Sequence, residues 1–164
     1  MFYPEKASQN YQSVDKFGAS DVLDLNWVQL MNAYSCTECG RCTSECPANL
    51  TGKKLSPRKI MMDTRDRLEK VSINISNNNG EFIDDGDRLL DNYISKEELW
   101  ACTSCNACVE ACPINIDPLS IIMDMRQYLI MEESSAHPDL NNMMNNIENN
   151  GAPWPYNQQD RELW

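Results

Sequence analysis

Eight cysteines stand in two runs of one frame, C-x-x-C-x-x-C-x-x-x-C-P, and the 164-residue chain has no others. The first run reads Cys36, Cys39, Cys42, Cys46, Pro47; the second reads Cys102, Cys105, Cys108, Cys112, Pro113. Thiolate is a soft ligand suited to zinc and to iron–sulfur clusters. Three cysteines at i, i+3 and i+6 can wrap three corners of a cubane from one compact loop, with the backbone amides between them turned towards sulfur. Gly40 is expected to help where the backbone passes close to inorganic sulfide. Zinc favours two pairs across a linker rather than triplets at spacing three. Disulfides are disfavoured in a chain without an export signal, and these spacings serve no framework.

The fourth cysteine of each run is committed to the element that follows it. Where two clusters are carried on this spacing, that cysteine ligates the other cluster. The expected sets are therefore crossed: one 4Fe–4S cluster on Cys36, Cys39, Cys42 and Cys112, and a second on Cys102, Cys105, Cys108 and Cys46. With all eight positions filled, cubanes are expected at both sites, and Pro47 and Pro113 are expected to turn the chain away from the opposite cluster.

The segments that must position these cysteines form a repeat with an offset of 66 residues. Tyr34 and Trp100 precede the first cysteines by two positions, and Thr37 and Thr103 follow them. The surroundings predict an all-α fold, helices packed around two clusters with irregular terminal segments. Asp24 is expected to cap a helix to about Tyr34, with Leu25, Val28 and Met31 on one face. Ser56-Pro57 predicts a second start, with Ile60, Met61, Thr64, Leu68, Val71 and Ile75 inward and a stop near Gly80; Val71, Ile73 and Ile75 also alternate as a strand would. Ser95 and Glu98 form a capping box before Leu99 and Trp100. Asp117-Pro118 predicts a helix to about Glu133 with Ile121, Ile122, Met125 and Leu129 inward. Leu140, Met143, Met144 and Ile147 predict a short amphipathic helix ending near Gly151. The expected division is an extension over 1–20, a dicluster domain over 21–134 and a short helix with an irregular tail over 135–164.

Composition narrows the function classes. At 41% hydrophobic and 24% charged the chain reads as globular, yet 8% aromatic gives a thin core unless buried clusters fill part of it. The formal charge of −11 becomes about −15 once two oxidised clusters are counted. That excludes nucleic acid as a partner and suits docking on a basic protein surface, or serves solubility alone. No apolar run has the length of a membrane span. The segment MFYPEKASQNYQ has neither a hydrophobic stretch nor a twin arginine, so a cytoplasmic location is expected.

From about Trp27 to Tyr128 the chain resembles the α-helical dicluster ferredoxins. The resemblance rests on YSCTECGRCTSECPA, SPRKI and LWACTSCNACVEACPINIDP. It looks most like the C-subunit family of heterodisulfide reductase and related Fe–S oxidoreductases, and the iron–sulfur subunit of succinate dehydrogenase has a similar module. Small bacterial ferredoxins set the two motifs close together; here 55 residues of helical pattern intervene. The resemblance implies single-electron relay within a larger oxidoreductase, heterodisulfide reductase-like or quinone-linked. Implied partners are a flavoprotein, a cysteine-rich thiol-active subunit or a membrane quinone or haem subunit, which would place the chain at the inner face of the cytoplasmic membrane. Membrane helices or cysteine-rich domains of such relatives would lie on a longer form of this chain or on partner subunits. The alternatives are a structural or redox-sensing module and a free-standing ferredoxin.

Other residues suggest no further chemistry. His137, the only histidine, reads as a solvated loop residue, and the nine methionines read as core filler. Arg58, Lys59, Arg65 and Arg67 read as a solvated helix face. The Asn-rich stretch 141–150 has no assigned chemistry, and Trp154 and Trp164 read as exposed, in segments that pack on something else. No phosphate loop, flavin fingerprint or nucleophile–base set is present, so no substrate site is expected in this chain.

Overall fold

Ser56 and Asp117 each offer a side-chain oxygen just before a proline, and each starts one of the two long helices that carry the core. The computed structural model describes residues 16–162. In chain order the helices are α1 (Trp27–Ser35), α2 (Arg41–Ser44), α3 (Pro47–Leu50), α4 (Pro57–Asn77), α5 (Lys96–Ala101), α6 (Ala107–Glu110), α7 (Pro118–Met131) and α8 (Pro138–Asn150). Short 3-10 turns lie at Val22–Asp24 and Gln158–Glu162. Leu89–Tyr93 is a kinked turn, with Leu90 extended and Asp91 at φ 72°. Among the described residues the only β feature is an isolated bridge between Leu90 and Ile94, so the fold is all-α as expected.

The local signals for the long helices act as their chemistry dictates. Ser56 accepts from the Lys59 amide, and Asp117 from the Leu119 and Ser120 amides at 2.9 and 3.1 Å. Ser95 and Glu98 close a reciprocal box that starts α5. Ile60, Met61 and Val71 of α4 are buried with Ile121, Ile122, Met125 and Leu129 of α7, alongside Leu99 and the kink residues Leu89, Leu90 and Ile94. Each such aliphatic side chain contributes about 1.5–3 kcal/mol on burial. The alternation of Val71, Ile73 and Ile75 belongs to α4, whose outer face leaves Ile73 exposed.

Three expectations are corrected. First, Asn26 rather than Asp24 caps α1: Asn26 Oδ1 accepts from the Gln29 amide at 3.0 Å while Gln29 Oε1 accepts from the Asn26 amide at 2.9 Å. Asp24 is used one turn earlier, accepting from the Ser20 and Asp21 amides. The register turns Gln29 and Ala33 inward and leaves Val28 and Met31 exposed; Gln29 stays satisfied by donating to Asp124 Oδ2 at 2.6 Å. Second, the basic run of α4 is a solvated face only at Arg58, which is exposed. Arg67 is fully buried, Lys59 pairs with Asp63 and Glu98, and Arg65 pairs with Glu38. Third, only some methionines fill the core: Met61 and Met125 are buried, while Met31, Met123, Met131 and Met144 are exposed.

The chain before α1 joins the same body. Ala19 N–H donates to the Asp124 carbonyl at 3.0 Å. Gly18 has φ +76°, and a Cβ there would lie 2.3 Å from the Asp124 oxygen and 2.4 Å from the Tyr128 nitrogen. At the other end His137 is solvated but does more than fill a loop. Its Nδ1 accepts from the Asp139 amide at 3.4 Å and caps α8, a helix with no buried residue that ends at Gly151. Trp154 is 44% exposed; the expectations for MFYPEKASQNYQ and Trp164 lie outside the described residues.

Candidate metal centre

The cysteine repeat is a repeat of backbone geometry. Cys36 and Cys102 end α1 and α5 with φ/ψ of −66/117° and −69/128°, and each amide donates to the carbonyl three residues back at 3.4 Å. Glu38 and Ser104 follow at φ 58° and 56°, then Gly40 and Asn106 at φ 80° and 61°. These left-handed residues start α2 and α6. Gly40 meets this left-handed angle at no steric cost, and Asn106 meets it at the equivalent position. A Cβ at Gly40 would meet nothing of the protein closer than Arg58 Nη1 at 3.9 Å.

The eight thiols are free and gather in two neighbouring cavities. Cys36, Cys39, Cys42 and Cys112 line the first, with Pro113 in its wall. Cys46, Cys102 and Cys105 line the second, with Pro47 in its wall. Cys108 touches both. The fourth cysteine of each run thus lies with the other run's loop or beside it. Among the described residues no three Cys, His, Asp or Glu side chains are gathered as ligands of a single metal ion. A cubane is a larger body than one ion, and its thiolates stand further apart.

Electrostatics fit the same group. Burial pushes the Cys108 thiol up to about 11, reinforced by Cys102 and Cys42. Burial also raises Cys42, with Cys36, Cys39 and Cys112 adding repulsion against the pull of Thr43. The Ala107 amide, and after it Thr103, holds Cys105 low. So many thiolates are compatible at close quarters only with a cation that shares their charge, and an iron–sulfur cluster is one. The Ser104 amide donates to Cys102 Sγ and the Ile116 amide to Cys112 Sγ, both at 3.4 Å. Such bonds to sulfur tune cluster potentials.

The walls include residues the motifs alone did not mark. Arg58, Met61 and Pro118 line the first cavity; Leu55, Pro57, Leu119 and Ile122 line the second. The first turns of α4 and α7 thereby face the cavities, and their positive dipole ends favour anionic occupants. The signal for this in the sequence is the pair Ser-Pro and Asp-Pro, placed ten and five residues after the fourth cysteines. Cys39 and Cys105, the second cysteine of each run, are exposed, whereas Cys46 is buried.

A family profile described as a 4Fe-4S dicluster domain matches residues 35–116, half of the chain and all eight cysteines. Over 98% of its length the chain is 30% identical to the probable iron-sulfur-binding oxidoreductase FadF of Bacillus subtilis, covering 27% of that protein. It is 28% identical over 94% of its length to the EtfAB:quinone oxidoreductase of Syntrophomonas wolfei, covering 24% of it. Over 70% of its length it is 29% identical to the C subunit of the ferredoxin/F(420)H(2)-dependent CoB-CoM heterodisulfide reductase of Methanosarcina acetivorans, covering 56% of it. The chain thus spans about a quarter of the length of the first two relatives.

Proposed function

Since the chain belongs to the 4Fe–4S dicluster domain family, we propose that it relays single electrons between two clusters held in crossed sets, inside a larger oxidoreductase. The sets are Cys36, Cys39, Cys42 with Cys112, and Cys102, Cys105, Cys108 with Cys46. Each cluster, when bound, takes up and returns one electron. The carrying observation is that Cys112 shares the first cavity with the first loop while Cys46 shares the second with the other loop. Cys108, in the wall of both, supports close passage between them. Exposure of Cys39 and Cys105 gives each cluster one corner at the surface for exchange with a partner.

The relatives' names suggest the partners: an electron-transferring flavoprotein, a quinone-linked subunit or a thiol-active heterodisulfide reductase subunit. Among the described residues no helix is long and apolar enough to cross a membrane, so contact with a membrane quinone would run through another segment or subunit. The test is anaerobic purification with metal and sulfide analysis, followed by EPR during stepwise reduction and reoxidation. About eight iron and eight sulfide per chain, with two reversible one-electron signals, is expected. Stoichiometric zinc without sulfide, or clusters that resist reduction, would overturn the relay.

A further inference from the structure

The backbone repeat conceals a difference in charge. Glu38 and Ser104 occupy the same positive-φ position of the two cysteine loops, and each is gripped by an arginine from a long helix. At the first loop Arg65 of α4 donates from Nη2 to Glu38 Oε1 at 2.5 Å, and its Nε lies 3.9 Å from Asp66 Oδ1. The grip is an ion pair, and its charges cancel. At the second loop Arg126 of α7 donates from Nη1 to Ser104 Oγ at 3.3 Å and from Nη2 to the Cys102 carbonyl at 2.5 Å. Nη2 and Nε also donate to the Leu99 carbonyl at 2.6 and 3.0 Å, and the guanidinium lies over the Trp100 ring at 5.1 Å. All these acceptors are neutral. Among the described residues no carboxylate pairs with Arg126, whereas Lys16, Lys54, Lys59, Arg65, Arg67, Lys70, Arg88 and Lys96 all have one.

A whole positive charge is thus left half-buried behind Cys102. It costs desolvation to place there, and a reduced, more negative cluster would return that cost. Arg58, in the wall of the first cavity, is exposed, and water and salt screen it far more. We infer that Arg126 holds the cluster of Cys46, Cys102, Cys105 and Cys108 at a higher reduction potential than its neighbour, so that an electron entering the pair comes to rest on the second cluster. The inference rests on the two-cluster reading above and adds a direction to it. Arg126 is not a ligand: its charge acts across space on the cluster from behind Cys102.

The same guanidinium ties down the last carbonyls of α5, and the test must separate charge from this anchoring. The holoprotein is titrated anaerobically against mediator dyes, each cluster taking one electron from a reduced dye molecule that is oxidised by one. EPR follows both signals, and the second cluster's signal is the one altered in Cys105→Ser. Ser104→Glu installs the acid of the first loop, and Arg126→Gln removes the charge. Each is expected to weaken reduction of the second cluster about tenfold, a 59 mV fall for one electron, leaving the first unmoved. Arg126→Lys keeps the charge and is expected to retain most of the potential while melting earlier, as Arg126→Gln does. Full iron with both potentials unmoved in Ser104→Glu and Arg126→Gln would overturn the inference. So would a Lys variant whose potential falls as far as the Gln variant's, since anchoring alone would then explain the shift. A wild-type protein short of eight iron would instead overturn the two-cluster reading beneath it.

Discussion

Cys46 is the most informative single residue. It is buried, it stands immediately before α3, and its cysteine neighbours in the cavity come from a loop more than fifty positions away. Cys46→Ser is expected to remove or convert the second cluster while the first survives, visible as loss of one of two EPR signals and about half the iron. Loss of the signal assigned to Cys36, Cys39 and Cys42 instead would refute the crossing. The cysteines were legible because metal ligation demands a fixed residue type at a fixed spacing. Gly18 was not legible, because nothing nearby in sequence announces that its α-carbon lies against the backbone of α7. Gly18→Ala forces a Cβ into backbone atoms at a positive φ and is expected to cost upward of about 1 kcal/mol. An unchanged denaturant midpoint would show that this segment does not belong to the cooperative unit.

Element boundaries were legible wherever a cap is a local event. Ser56, Ser95 and Asp117 act within three residues of themselves, and all three start helices. The start of α1 was misplaced because Asp24 and Asn26 compete as caps. The choice is made by Gln29, which closes the box at Asn26 and reaches Asp124, 95 positions away. Arg67 shows the same limit on α4. In sequence it is one of four basic residues, but its guanidinium is wholly enclosed by Asp21 at 2.7 Å, Asp85 at 2.6 Å and the Asp87 carbonyl at 2.6 Å. Arg67→Leu strands two carboxylates and is expected to cost about 3 kcal/mol in unfolding experiments near neutral pH, the low end because both retain some water contact. Hydrogen bonds from Arg67, the largest influence, hold the Asp85 carboxyl below its ordinary value. A depressed carboxyl stabilises the fold above its unfolded pKa of about 3.9, and that stability is lost as pH falls through the lower folded value. The gap between wild type and Arg67→Leu should therefore narrow below about pH 4. A gap that is constant from pH 7 to pH 3 would mean that packing, not charge, is what the substitution removes.

For the whole molecule, the two cavities separate parts of the chain with different means of support. The long helices α4 and α7 are in contact, and Ile60, Met61, Ile121, Ile122 and Met125 lie in one buried apolar cluster. The helices α2, α3 and α6 have four residues each, and α2 and α6 bury none of them. A helix that short is far below the length that stands alone in water. On the proposed ligation, its order comes largely from cysteines that bind a cluster at both ends of each loop. Removing the iron should leave thiols that burial keeps protonated at Cys42 and Cys108, with no ligand bond to hold the loops in place. Anaerobic chelation is therefore expected to give a partly folded chain rather than an unfolded one. Far-UV ellipticity should fall by a minority of its value while the α4–α7 contact persists. Trp100, one residue from the end of α5 and packed by Arg126, should report the loosening as a shift in fluorescence. Amide exchange should be fast over residues 36–50 and 102–116 and slow in the middle of α4 and α7. Complete loss of protection in α4 and α7 would show that the clusters hold the entire fold. Unchanged protection in the cysteine loops would show that they are ordered by protein contacts alone.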